Sequence, residues 1–115
     1  TNMKAIQAAI LAIVVSAIFF LPKMAYAVDV AMNSNGQLLF EPSDITINKG
    51  ESIHFVNGML PPHNIIVDGR PDLSRESLFF SPGQTQDIIF ADTGEYDFYC
   101  GHHHAAGMVG KIHVN

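Results

Sequence analysis

The 115-residue chain has one cysteine, Cys100, so no disulfide can close within it. Positive charge is also scarce, with six lysines and arginines against eleven acidic residues. No Lys/Arg cluster, Walker loop or Gly-rich dinucleotide fingerprint is present, so the chain offers neither a phosphate cradle nor a track for nucleic acid. Only one long run is apolar, Ala5 to Leu21. Beyond Ala27 there is no repeat, linker or low-complexity stretch, which restricts the remainder to one small domain.

The apolar run reads as an address. Lys4 supplies its positive start, Pro22 breaks any helix, and Ala25-Tyr26-Ala27 fits the small-x-small rule for signal peptidase. We therefore expect a cleavable signal helix over residues 1–27, cut after Ala27, with a retained anchor as the alternative. Thr1-Asn2 reads as upstream sequence and Met3 as the initiator. The domain left, 28–115, has 88 residues and carries all eleven acids against four positive side chains, a formal charge of −7. Such a surface suits a basic partner. An exported domain with one thiol must protect it, and a bound metal would do so. A cysteine packed as a small hydrophobe is the plainer explanation.

Short strands and turns punctuate this domain. Val28, Val30 and Met32 alternate with Asp29 and Ala31 before Asn33-Ser34-Asn35-Gly36. Ile45 and Ile47 alternate up to Asn48-Lys49-Gly50, and Ile53 and Phe55 up to Asn57-Gly58. Further runs fall at His63–Val67, Ile88–Phe90, Tyr96–Cys100 and Val109–Val114. Period-two patterning at this spacing predicts an all-β sandwich or barrel. Only Pro71 to Ser77 suggests a helical turn. On the run ending at Cys100, parity places Tyr96, Phe98 and Cys100 on the core face and Glu95, Asp97 and Tyr99 on the other. His54 and His113 fall at outward parity and read as surface residues.

The chemistry concentrates in Tyr99-Cys100-Gly101-His102-His103-His104-Ala105-Ala106-Gly107-Met108, with His63 upstream in Pro62-His63-Asn64. One thiolate, two imidazoles and a thioether form the ligand set of a blue-copper electron-transfer centre. Each member has a duller role alone: Met108 and Cys100 as core, His63 as a hydrogen-bonded loop residue. Jointly, at ligand spacing, they point to a metal. Zinc would suit Cys and His but leaves the Met108 spacing without a purpose.

The run from Tyr99 to Lys111, together with Pro62-His63-Asn64, Phe40-Glu41-Pro42 and Ser81-Pro82-Gly83, resembles the plastocyanin family of cupredoxins. The resemblance extends from Val28 to Asn115. It implies a cupredoxin Greek-key β-sandwich of two sheets and one copper ion, Cu+/Cu2+, held by His63, Cys100, His103 and Met108. Asn64 would tie the two ligand loops. The implied activity is one-electron carriage, not enzymatic catalysis, by a monomer. Its partners would be cytochrome f and photosystem I, met by transient docking in a thylakoid lumen or periplasm. Family docking positions correspond to Gly36, Leu38, Pro61, Pro62, Ala105 and Ala106, with a second contact region at Tyr99.

Two residues depart from the family. His102 stands where proline is usual, and His104 where arginine or glutamine is frequent, so three consecutive imidazoles compete for one ligand position. His103 keeps both spacings, to Cys100 and to Met108, and is the expected ligand. His104 then borders the docking face, without the family's fixed positive charge. The rival reading is an exported copper-handling protein that exploits this His-rich loop.

Overall fold

The computed structural model describes residues 27–59 and 62–115. Residues 1–26 of the expected signal segment, Ala25 and Tyr26 among them, and Pro61, expected as a docking position, lie outside the described residues, whereas Ala27, the expected last residue of that segment, opens the first strand.

Among the described residues the chain forms nine strands, most of them alternating apolar and polar side chains. They are β1 (Ala27–Met32), β2 (Phe40–Glu41), β3 (Asp44–Ile47), β4 (Ser52–Asn57), β5 (His63–Val67), β6 (Arg75–Phe79), β7 (Thr85–Ile89), β8 (Gly94–Tyr99) and β9 (Val109–Val114). One sheet has the order β2-β1-β4-β7 and the other β3-β9-β8-β5-β6. The pairs β1–β4 and β3–β9 are parallel and the remaining pairs antiparallel. The expected all-β sandwich of two sheets is what the chain forms.

Burial follows parity. Ile53, Phe55 and Asn57 of β4, Ile45 and Ile47 of β3, and Ile112 and Val114 of β9 face the core, while their neighbours face outward or lie half-buried. Strand β5, between β8 and β6, is buried at His63, Asn64, Ile65 and Val67. Phe40, Phe55 and Phe98 meet edge-to-face with centroids 4.7–6.2 Å apart, the geometry their ring quadrupoles prefer. The cross-strand partner of Phe98 is Gly110. A Cβ there would lie 2.4 Å from Phe98 Cζ and 2.5 Å from the Ser43 carbonyl oxygen. The glycine is what lets the ring lie flat across β9.

The structure differs from the sequence pattern between Pro71 and Ser77. The helical turn stops at Ser74, whose amide bonds to the Arg70 carbonyl at 3.2 Å, and β6 begins at Arg75. Ser74 Oγ explains the stop. It donates to the Arg70 carbonyl at 2.9 Å and accepts the Val67 amide at 2.9 Å, binding the turn back onto β5. Among the described residues no helix is long and apolar enough to cross a membrane.

Candidate metal centre

Both ligand-bearing segments end at one pole of the sandwich. His63 opens β5, and Cys100 follows the last residue of β8. Between Cys100 and β9 the chain makes one tight loop around a short 3-10 helix, His104–Ala106, which we call η1. Its ends are pinned together, with the Cys100 amide donating to the Met108 carbonyl at 3.1 Å. Inside it the His103 amide donates to the Cys100 carbonyl at 3.1 Å and the Met108 amide to the His103 carbonyl at 3.2 Å. Gly107 closes η1 at φ 91°, a left-handed conformation that glycine adopts without a Cβ penalty.

The loop brings three donors together. Cys100 Sγ lies 3.3 Å from His103 Nδ1 and 3.9 Å from His63 Nδ1, and the two nitrogens are 3.3 Å apart. Cys100, His63 and Met108 are fully buried, whereas His103 is half-buried and leads to the surface. Burial, and secondarily the nearby His103 ring, push the His63 pKa below its ordinary value, with the Met59 carbonyl opposing. The ring is thereby kept neutral with a lone pair to offer.

This donor set fits a cation better than it fits itself. A thiol has one proton and can satisfy one nitrogen, and two imidazole nitrogens facing each other need a proton between them. One metal ion answers all three groups at once. Thiolate with two imidazoles is a soft set, and Met108, fully buried where the same loop ends, would add a thioether, a donor that suits copper better than zinc.

Buried amides hold the pole together. Asn64 Oδ1 accepts the Gly101 amide at 2.7 Å, and its Nδ2 donates to the Glu76 carbonyl at 3.1 Å. It thus ties β5, the loop after Cys100 and β6. Two further asparagines, which in the sequence mark only turns, are structural ties here. Asn57 Nδ2 donates to the carbonyls of Phe79 and Ser81, at 3.3 and 3.0 Å. Asn33 exchanges contacts with Met59, Nδ2 to the Met59 carbonyl at 3.3 Å and Met59 amide to the Asn33 carbonyl at 3.2 Å. Their position before Gly-rich turns was the available signal.

Of the three consecutive histidines only His103 joins the cluster. His102 is exposed, and His104 stacks on Tyr99 with centroids 4.3 Å apart and planes 18° apart. Among the family docking positions, Gly36, Ala105 and Ala106 are exposed; Pro62 is half-buried. Leu38 is half-buried against the core, and Leu39 is the more exposed neighbour. Beside the Tyr99–His104 stack a groove of about 540 Å³ runs past Asp44, Asp68, Asp97 and Lys111. His54 and His113, read as plain surface residues, are partnered. His54 bonds Asp87, and His113 bridges Asp44 at 2.8 Å and Glu95 at 3.2 Å.

Known proteins are similar to this chain in sequence and in fold. Residues 26–115 match the family described as copper binding proteins, plastocyanin/azurin family. The chain is 38% identical over 128 residues to a plastocyanin of Synechococcus sp. (strain JA-2-3B'a(2-13)), spanning 98% of this chain and 94% of that protein. It is 37% identical over 125 residues to plastocyanin B, chloroplastic, of Populus nigra, spanning 99% of this chain and 73% of that protein. The oxidised plastocyanin of Dryopteris crassirhizoma superposes with a TM-score of 0.68 at 28% identity, over 76% of this chain and all of that one.

Proposed function

The chain belongs to the plastocyanin/azurin family of copper-binding proteins, and from that premise we propose that it is a soluble one-electron carrier whose single copper is held by His63, Cys100, His103 and Met108. When bound, the copper supplies a reversible one-electron change between Cu+ and Cu2+. The observation that carries the reading is the convergence of Cys100 Sγ and the two Nδ1 atoms at a buried pole.

The protein's residues do the rest. Cys100, its thiol deprotonated, supplies the strong anionic donor, and the neutral His63 ring supplies a lone pair from the core. Met108, fully buried at the end of the same loop, would hold the ion as a fourth, weaker thioether donor. Burial of all three excludes water, and the pinned loop resists rearrangement between oxidation states. His103 is the edge by which an electron leaves, because it alone of the ligands is not fully buried.

In our reading the partners are cytochrome f as donor and photosystem I as acceptor, and the compartment is a thylakoid lumen or periplasm reached after cleavage behind Ala27. The functional domain is then 28–115. Support comes from the plastocyanin relatives and from the exposed small residues Gly36, Ala105 and Ala106, which allow close approach beside His103. The three aspartates of the groove beside Tyr99 suit a positively charged partner surface.

Titration with copper(II), followed by visible absorption and EPR, tests the metal reading. We expect an intense blue band and a narrow copper hyperfine splitting that saturate at one equivalent and are bleached by ascorbate. A pale complex taking several equivalents, indifferent to Cys100→Ser, would overturn it in favour of copper handling by the His-rich loop. Electron-transfer rates with cytochrome f and photosystem I test the partners.

A further inference from the structure

Three consecutive imidazoles follow Cys100 by two, three and four residues, yet one alone reaches the thiol. Side-chain chemistry cannot by itself explain that choice, because positions 102, 103 and 104 carry the same ring. What differs is the destination of the neighbouring ring. His104 lies flat against Tyr99, with centroids 4.3 Å apart and an 18° interplanar angle. Tyr99 ends β8 immediately before Cys100 and is registered between Ile66 of β5 and Val109 of β9. The stack therefore joins the residue before one ligand to the residue after another, across the outer face of the sheet.

We propose that His104 is a positioning residue: its stack on Tyr99 selects His103, among three adjacent histidines, as the metal ligand. This deepens the copper-carrier reading and rests on it. With the 104 ring held on the outer face, the 103 side chain, on the residue just before η1, turns inward to Cys100. A slip that offered His104 to the thiol would break the stack. It would also break the His103 amide bond to Cys100 and the Met108 amide bond to His103. At the exposed end of such a loop an aromatic pair is worth enough to shift a local equilibrium by roughly two- to tenfold. His102 is exposed and holds no such position.

The test uses four variants and two readouts. In the metal-free protein, amide hydrogen exchange at His103 and Met108 reports the loop itself. We expect Tyr99→Leu to accelerate it by about tenfold, and Tyr99→Phe and His104→Phe, which keep two stacked rings, to leave it unchanged. With copper(II) sulfate added, native protein, Tyr99→Phe and His104→Phe should each give one EPR species. Tyr99→Leu should give two, and adding His104→Gln to Tyr99→Leu should return it to one by removing the competing ligand. Unchanged exchange and a single unaltered EPR species in Tyr99→Leu would overturn the proposal. If native protein gave no Cys100-dependent blue band, the carrier reading would fall, and the exchange data would still decide whether the stack orders the loop.

Discussion

Asn64 Oδ1 accepts the Gly101 amide at 2.7 Å, so the strand that carries His63 and the loop that carries Cys100 and His103 move as one unit. Asn64 is buried, and its other end is fixed on the Glu76 carbonyl. Asn64→Ala would leave the Gly101 amide and the Glu76 carbonyl without these partners. Loss of such a buried bond costs roughly 1–3 kcal/mol. In a domain of this size that is a fall in melting temperature of about 4–8 °C per kcal/mol. Thermal unfolding of metal-free protein should show it; an unchanged midpoint would mean that water replaces the side chain at no cost.

Gly110 offers a sharper steric test. A Cβ there would fall against the Phe98 ring and also against the Ser43 carbonyl, which is backbone and cannot swing away. Gly110→Ala should therefore destabilise by about 1–3 kcal/mol, the usual cost of overpacking. Phe98→Leu in the same chain removes the clash with the ring but not that with Ser43. Urea denaturation should thus show the second substitution recovering part of what the first lost, a non-additivity expected of residues in contact.

His113 stitches three strands. Its ring on β9 reaches Asp44 on β3 and Glu95 on β8, at 2.8 and 3.2 Å, and β3–β9 is one of the two parallel pairings. All three side chains retain solvent contact, so the bridge is a modest one. His113→Thr should cost on the order of 0.5–1 kcal/mol at low salt. The difference between native and variant should shrink towards zero in 1 M salt, where the screening length falls to about 3 Å. A difference that persisted undiminished would assign the loss to packing.

How far these features were legible depends on sequence distance. The meeting of Cys100 with His103 was legible because the two lie three residues apart in one loop, so their spacing is itself much of the geometry. Strands β1, β3, β4, β8 and β9 were legible because one face of each is buried, which writes a period of two into the residues, and β5 because burial on both faces leaves the apolar run Ile65-Ile66-Val67. Strand β6 was not. At the sheet edge Arg75-Glu76-Ser77-Leu78-Phe79 buries only Phe79, and the pattern vanishes. The partners of His54 and His113 were hidden for a different reason: Asp87, Glu95 and Asp44 lie 33, 18 and 69 residues away. The stack of His104 on Tyr99 spans only five positions, but it depends on how η1 turns the ring, and no residue pattern records that turn.

The last prediction separates the three adjacent imidazoles and ties the metal to stability. Anything bound by the folded state alone raises the unfolding free energy, by ~2.7 kcal/mol when free ligand reaches a hundred times its dissociation constant. The convergent donors belong to His63, Cys100 and His103, so copper(II) should raise the melting temperature only while all three are intact. Cys100→Ser and His103→Ala should each remove the copper-induced shift and the blue band. His102→Ala should keep both, since that ring is exposed and outside the cluster. Calorimetry with and without one equivalent of copper on the same four proteins decides it. If His102→Ala lost the shift and His103→Ala kept it, the loop would be in a different register when loaded, and the ligand assignment would pass to the neighbouring residue.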